Sequence, residues 1–373
     1  MKTFVEINRQ NLLHNLETFS RVSGKPLMFV VKGNAYGHGL KEVINITKDM
    51  AAIDYYAVDS LDEALYVKRL SQQKKILVLG WAHKTEILDL IGNDIEMVAP
   101  SVEYLREVDA AAGQLGKRAR CQVKLETGTN RLGMTEEQLL GILQERRFDN
   151  IDITGVYSHF ANIEDTSDHS YAHGQLQRYT DFLEKIDNNR LLRHFSCSAS
   201  TLLFPKTYFD IVRVGISAYG YWPSKQTYVS YREKMKHQPI DLKPVMSWHT
   251  HVAQVKELDK GQSIGYGLTY QTFGKSKMIV VPVGYYDGYD RKLSNTANIL
   301  VNGHKAPVRG RVCMNMFMAE VTHINGVNAG DPVTLLGGGN GEAITADHLG
   351  DWCGSINYEI LARVNPRIPR VVV

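Results

Sequence analysis

The chain has 373 residues with 43% hydrophobic and 22% charged content, the balance of an ordinary soluble globular protein. Its 43 basic and 40 acidic residues leave a net charge of +3, and the basic residues are scattered, so nothing marks a nucleic-acid partner. The N-terminus MKTFVEINRQ lacks a signal-peptide core, no run approaches the roughly 18 apolar residues of a membrane span, and Cys121, Cys197, Cys313 and Cys353 show neither CxxC nor Cys/His ligand spacing. A cytoplasmic protein without membrane contact, disulfide scaffold or metal site is therefore expected.

At this length two domains are the expectation. The segment EINRQNLLHNLETFSRVSG predicts a helix with Asn8 as N-cap and Gly24 just past its end. Eight strands follow: 26–31, 55–59, 75–80, 95–100, 119–125, 151–158, 193–198 and 211–215. Between them lie amphipathic segments such as SVEYLREVDAAAGQL and TEEQLLGILQERR, with apolar residues at i, i+3 and i+4. This alternation predicts a (β/α)8 barrel. A doubly wound sheet is the alternative, but no GxGxxG follows the first strand. After PSKQ the texture changes to alternating strands separated by Gly, Asn and Pro, which predicts a mostly β second domain. The division is then 1–225 for the barrel and 226–373 for the β domain, with residues 1–10 candidates to pair with the latter.

In a barrel, chemistry gathers where strands end and βα loops begin. Lys32 ends the first strand in PLMFVVKGNAYGHG; Lys124 and Arg131 flank the turn after the fifth in KLETGTNRLGM; His159 ends the sixth. Ser198 follows the seventh, and Arg213, Gly215 and Ile216 close the eighth in IVRVGISAYG. Each has an ordinary alternative: a lysine solvating a strand end, an arginine in a salt bridge, a tyrosine packed with its hydroxyl satisfied. Their convergence on one rim points instead to a reactive site.

The motifs VVKGNAYGHG, KLETGTNRLG, YSHFAN, RVGISAYG, GYGLTY, GYYDGY and RVCMN occur in the order seen in bacterial alanine racemases, and from about residue 6 to 370 the chain resembles that family. The resemblance implies a pyridoxal 5′-phosphate (PLP) enzyme with a (β/α)8 N-terminal domain and a β C-terminal domain. It further implies a head-to-tail homodimer with shared active sites, acting on a small amino acid. Lys32 matches the Schiff-base lysine that also serves as one acid/base; Tyr266 in GYGLTY matches the opposing base from the other subunit. A tyrosine with a reference pKa of about 10 needs cationic help to act as a base, for which His159 and Arg213 are the candidates. Arg213 matches the residue facing the cofactor's ring nitrogen. Ser198, Tyr36, Tyr358, Gly215 and Ile216 match the phosphate site, while Arg131 and the Met314 N–H match the substrate carboxylate site. Lys124 stands where the family often carries a carbamylated lysine. Glu164, Tyr285, Arg291, Arg311 and Ile356 match the substrate corridor.

Two departures matter. Asn315 stands where alanine racemases usually have aspartate, a substitution that resembles broader-specificity amino-acid racemases, so serine or wider acceptance stays open beside alanine. Cys197 replaces a common asparagine. A PLP decarboxylase of the same architecture and a non-catalytic PLP-binding protein are further alternatives; the first lacks its GPTCD-type motif here, and the second is usually a lone barrel. Outside the resemblance, His249 and His251 share a strand face without a third metal ligand, and GGGNG at 337–341 reads as a turn before a helix capped by Thr345.

Overall fold

The apolar runs fold as parallel strands in a computed structural model that describes residues 1–145, 148–186, 190–234, 239–339 and 341–373. Barrel strands one to eight are Leu27–Val30, Ile53–Val58, Lys75–Val78, Glu96–Ala99, Ala119–Lys124, Ile151–Tyr157, Leu192–His194 and Val212–Val214. They form a nearly closed sheet in the order 7-6-5-4-3-2-1-8. All eight sequence-predicted strands are present. The seventh is shorter than predicted because Ser196 leaves the ladder and its hydroxyl accepts the Arg213 N–H instead, at 3.3 Å. The seam between strands seven and eight is joined by side chains: Asp210 takes Arg193 Nε and Nη2 at 2.8 and 2.7 Å, and its N–H donates to Arg193 O at 3.1 Å.

Helix signals act as read. Asn8 Oδ1 accepts the Asn11 N–H at 2.9 Å ahead of helix Arg9–Ser23, and Gly24 follows with φ 61°. Ser101 caps Val102–Leu115, and Thr345 caps Ala346–Cys353. Helix Glu136–Glu145 carries the predicted TEEQLL periodicity; Arg146 and Arg147 lie outside the described residues.

By internal contacts the chain divides into two units, one of Leu12–Gly33 and Val43–Lys243, the other of Met1–Asn11, Asn34–Glu42 and Pro244–Val373. The division thus falls at residue 244, where composition suggested 226. In the second unit Thr3–Ile7 pairs antiparallel with Met246–His251 and parallel with Arg370–Val372 within one large sheet. Met246–His251 alternates buried and partly exposed residues; on its buried face Trp248 meets the Tyr289 ring edge-on at 6.2 Å, and Tyr289 stacks on Phe317 at 4.7 Å. On the opposite face His249 meets Thr334 Oγ1 at 3.1 Å and Ser247 Oγ at 2.9 Å. The glycines read as a turn instead extend strand Pro332–Gly339, which pairs with Glu342–Ile344; Asn340 lies outside the described residues. Among the described residues no helix is long and apolar enough to cross a membrane.

The first barrel strand runs into a single helical turn, Lys32–Tyr36, of unusual hand. Gly33, Asn34, Ala35 and Tyr36 have φ of 65°, 55°, 55° and 52°, so the turn is left-handed. Its exit is tied down: Gly39 N–H donates to Asn34 O at 3.0 Å, Leu40 N–H to Asn34 Oδ1 at 2.8 Å, and Arg370 Nη2 to Gly37 O at 2.8 Å.

Candidate active site

Lys32 begins that turn at the C-terminal end of strand one, half-buried, with Nζ 3.5 Å from Asp59 Oδ1 at the end of strand two. Lys124 ends strand five and is buried, its amine donating to Leu132 O. Burial holds the Lys124 pKa below its ordinary value; Glu126 opposes this, while Arg131 and Arg213 add to it. The loop bearing exposed Arg131 is braced by Glu126, whose Oε1 accepts the Gly128 and Thr129 N–H groups at 2.6 Å each.

Arg213, on strand eight, is 5% exposed. Its Nη1 lies 2.5 Å from His194 Nδ1; its Nη2 donates to Ser158 O at 2.8 Å and Phe195 O at 3.1 Å and lies 3.2 Å from His159 Nδ1. The Arg213 Nε–H makes no hydrogen bond among the described residues. His159 is held well below its ordinary pKa by burial and then by Arg213, Arg131, Lys124 and Lys32. Burial first, and then these four cations, disfavour a charged His159, which weighs against the expectation that it supplies positive charge to a tyrosine base and leaves Arg213 as the cation for that task.

Ser198 opens the short helix Ser198–Leu203, and its hydroxyl oxygen accepts the Gly215 N–H at 3.1 Å. Gly215 therefore orients a hydroxyl whose own proton stays available. The main-chain N–H groups of Ser198 and Ile216 donate to nothing among the described residues. Burial pushes the Cys197 thiol up to about 11, so it acts here as packing ahead of the helix.

These groups fit PLP. An amine stands at the mouth of strand one for its aldehyde; a hydroxyl and open N–H groups stand at the ends of strands seven and eight for its phosphate; a buried Arg213 retains one open N–H for a ring acceptor.

The second unit carries its own cleft of about 790 Å³, lined by Tyr266, Tyr285, Arg291, Arg311, Met314 and Asn315 among others. Tyr266 is 75% exposed, in a turn between Gly265 and Gly267. A Cβ on Gly267, where φ is 73°, would lie 2.7 Å from the Arg311 guanidinium carbon, so glycine permits this approach. A Cβ on Gly284 would lie 2.2 Å from Cys313 O, and it is this contact that brings Tyr285 beside Met314. The Met314 N–H has no partner among the described residues. The Tyr36 and Tyr358 rings stand 6.2 Å apart. Ile356 is exposed outside the cleft lining. Glu164 belongs to the barrel unit, where its main-chain carbonyl accepts from Ser224 and Thr227.

Lys32, Lys124, Arg131, His159 and Arg213 thus share one electrostatic field. Sequence reasoning did not single out His194, Gln122 or Ser158, which hold Arg213 in place. The available signal was the two-residue alternation in RCQVK, which puts Gln122 on the same strand face as Lys124.

Comparison with known proteins agrees with this arrangement. The alanine racemase N-terminal domain family matches residues 7–223 and the alanine racemase C-terminal domain family residues 245–372. An alanine racemase from Leptospira interrogans is 37% identical over 100% of this chain and 96% of its own length. The solved alanine racemase of Clostridium difficile superposes with a TM-score of 0.92 at 30% identity, covering 100% of this chain and 96% of the other. That of Bartonella henselae, with covalently bound pyridoxal phosphate, superposes at 0.87 with 25% identity and 100% coverage of both. The chain belongs to the PLP-dependent alanine racemase family.

Proposed function

We propose that the chain interconverts L- and D-alanine as a homodimer, with PLP held at the barrel mouth of one copy and Tyr266 supplied by the other. The bound cofactor withdraws electrons from the substrate's α-carbon and so makes its proton labile. Lys32 Nζ holds the cofactor and moves that proton on one face; the Tyr266 hydroxyl moves it on the other. The hydroxyls of Ser198, Tyr36 and Tyr358 and the N–H groups of Ser198 and Ile216 hold the phosphate, with Gly215 orienting the Ser198 hydroxyl. Arg131 and the Met314 N–H orient the substrate carboxylate, and Tyr285, Arg291, Arg311, Ile356 and Glu164 line its approach. Lys124, buried with Arg131 and Arg213 near enough to lower its pKa, is suited to carbamylation, which would replace a third cation with an anion beside Arg131.

The observation that carries the reading is the open Nε–H of Arg213. An arginine side chain would donate a hydrogen bond to a ring nitrogen without giving up its proton, and a ring left unprotonated would be a weaker electron sink, which would favour racemisation over transamination. The dimer is supported by the exposure of Tyr266, Leu268 and Phe273, at 75%, 67% and 84%, a patch that a second copy would bury. Four free cysteines suit the cytoplasm, where D-alanine would serve peptidoglycan synthesis or D-amino-acid metabolism. Serine or broader specificity is the second reading and rests on Asn315.

The test is chiral analysis of alanine after incubation with the PLP-loaded protein, with visible absorbance of the lysine-bound cofactor as a second readout. Both should disappear in Lys32→Ala. Faster turnover of lysine or arginine than of alanine would overturn the assignment.

A further inference from the structure

TIM-barrel interiors are ordinarily filled by layers of branched apolar side chains. Here a polar column crosses the interior. His194, Gln122 and Glu96 are 0%, 0% and 1% exposed, and each is bonded to the next. His194 Nε2 lies 2.7 Å from Gln122 Oε1, and Gln122 Nε2 donates to Glu96 Oε2 at 2.8 Å. The Glu96 carboxylate also accepts from Thr154 Oγ1 at 3.0 Å, from Tyr55 OH at 3.1 Å and from Arg120. Every neighbour of Glu96 is therefore a donor.

We propose that Glu96 and Gln122 are positioning residues that fix the tautomer of His194 so that it can hold Arg213. This inference rests on the racemase reading for its catalytic consequence but not for its tautomer. An ionised carboxylate only accepts, so Glu96 forces the Gln122 amide to present its NH2 downward and its oxygen to His194. Facing an acceptor, His194 must carry its proton on Nε2. Its Nδ1 lone pair is then directed at Arg213 Nη1, 2.5 Å away. The opposite tautomer would set N–H against N–H in a fully buried contact. A carboxylate three side chains away thus orients the guanidinium through a neutral histidine, without placing a negative charge beside it.

Glu96→Gln reverses the column. Arg120 and Tyr55 retain the new amide's oxygen, its NH2 faces Gln122, and the Gln122 amide turns over to present NH2 to His194 Nε2. That nitrogen must then accept, and the proton moves to Nδ1. The exchange Glu96→Gln with Gln122→Glu restores the original direction, because the carboxylate at 122 again accepts from His194 Nε2. It also removes the Glu96 carboxylate from Arg120, which keeps only the longer contact to Asp94 at 4.0 Å, so a purely structural role for the Glu96–Arg120 pair would not be rescued.

The experiment is nitrogen NMR on protein labelled with 15N-histidine, with the His194 signals assigned by His194→Asn, together with racemase kinetics and half-transamination per turnover. In the cofactor-free wild type, His194 is expected to be protonated on Nε2 alone. In Glu96→Gln the proton should appear on Nδ1, with kcat down roughly 10- to 100-fold, the usual range for an orienting neighbour of a site residue, and more half-transamination. The exchanged pair should regain the wild-type tautomer and most of the rate. Nδ1 protonation in the wild type overturns the proposal even if no variant folds, as does an unchanged tautomer in Glu96→Gln or no recovery in the exchanged pair. An inactive wild type with the expected tautomer would count against the racemase reading alone.

Discussion

His194 and Arg213 stand on the two barrel strands that form no ladder with one another, and their 2.5 Å side-chain contact crosses that seam. The residue that would face the cofactor ring is therefore held across the seam by an imidazole on strand seven, by Phe195 O just past it and by Ser158 O just past strand six.

Arg213→Glu should lower racemisation and raise half-transamination, because a carboxylic acid can protonate a ring nitrogen where arginine cannot. It also leaves Ser158 O and Phe195 O without a donor, which should lower stability by about 1–3 kcal/mol for each buried carbonyl. Product analysis per turnover and a urea titration measure the two effects; an unchanged partition would sink the account.

Lys32→Ala and Tyr266→Phe should each be inactive alone. If each site draws these residues from different copies, mixing the two proteins should restore about a quarter of wild-type activity, since half the dimers are mixed and each carries one intact site. No recovery after verified subunit exchange would place both residues in one copy's site.

Asn315→Asp adds a negative charge to the cleft that holds Arg291 and Arg311. The ratio of kcat/KM for alanine over serine should rise about fivefold, the size of a ~1 kcal/mol effect of an exposed charge. Assays of alanine, serine, lysine and arginine in both enantiomers, with and without the substitution, read this directly.

His38 is fully buried against Ala35 O and Tyr36 O, and burial takes its pKa from 6.5 to about 3. His159 and His194 are also held well below their ordinary values, chiefly by burial and then by Arg213. Below about pH 6.5 the unfolded chain binds protons that the folded one refuses, so stability is complete above that pH and falls as pH drops toward the folded values. Each such histidine steepens the fall by up to about 1.4 kcal/mol per pH unit. Urea midpoints of the cofactor-free protein across this range should show it, with a shallower slope in His38→Gln. An identical slope would exclude His38 as a contributor.

Much of this was legible because hydrophobic alternation reports strands directly and βα-loop positions follow from them. Lys32, Lys124, His159 and Arg213 were all identifiable as strand-end residues. The lowered pKa of His159 was not, since it depends first on how deeply the sheet buries the ring and then on the cations gathered around it. The interior column was also hidden: Glu96, Gln122 and His194 lie on strands four, five and seven, and no local pattern shows that their side chains meet. The β-unit cleft depended on glycine contacts such as Gly284 against Cys313 O, which no local pattern encodes.

The left-handed turn after Lys32 makes that segment a place where selection for thermal robustness and selection for turnover should diverge. Asn34, Ala35 and Tyr36 hold a conformation that costs an L-residue roughly 1–2 kcal/mol and glycine almost nothing. Variants gathered on melting temperature alone are therefore expected to include Ala35→Gly, while variants gathered on racemisation should keep a side chain there, because a glycine-rich turn no longer fixes the direction in which the lysine leaves its strand.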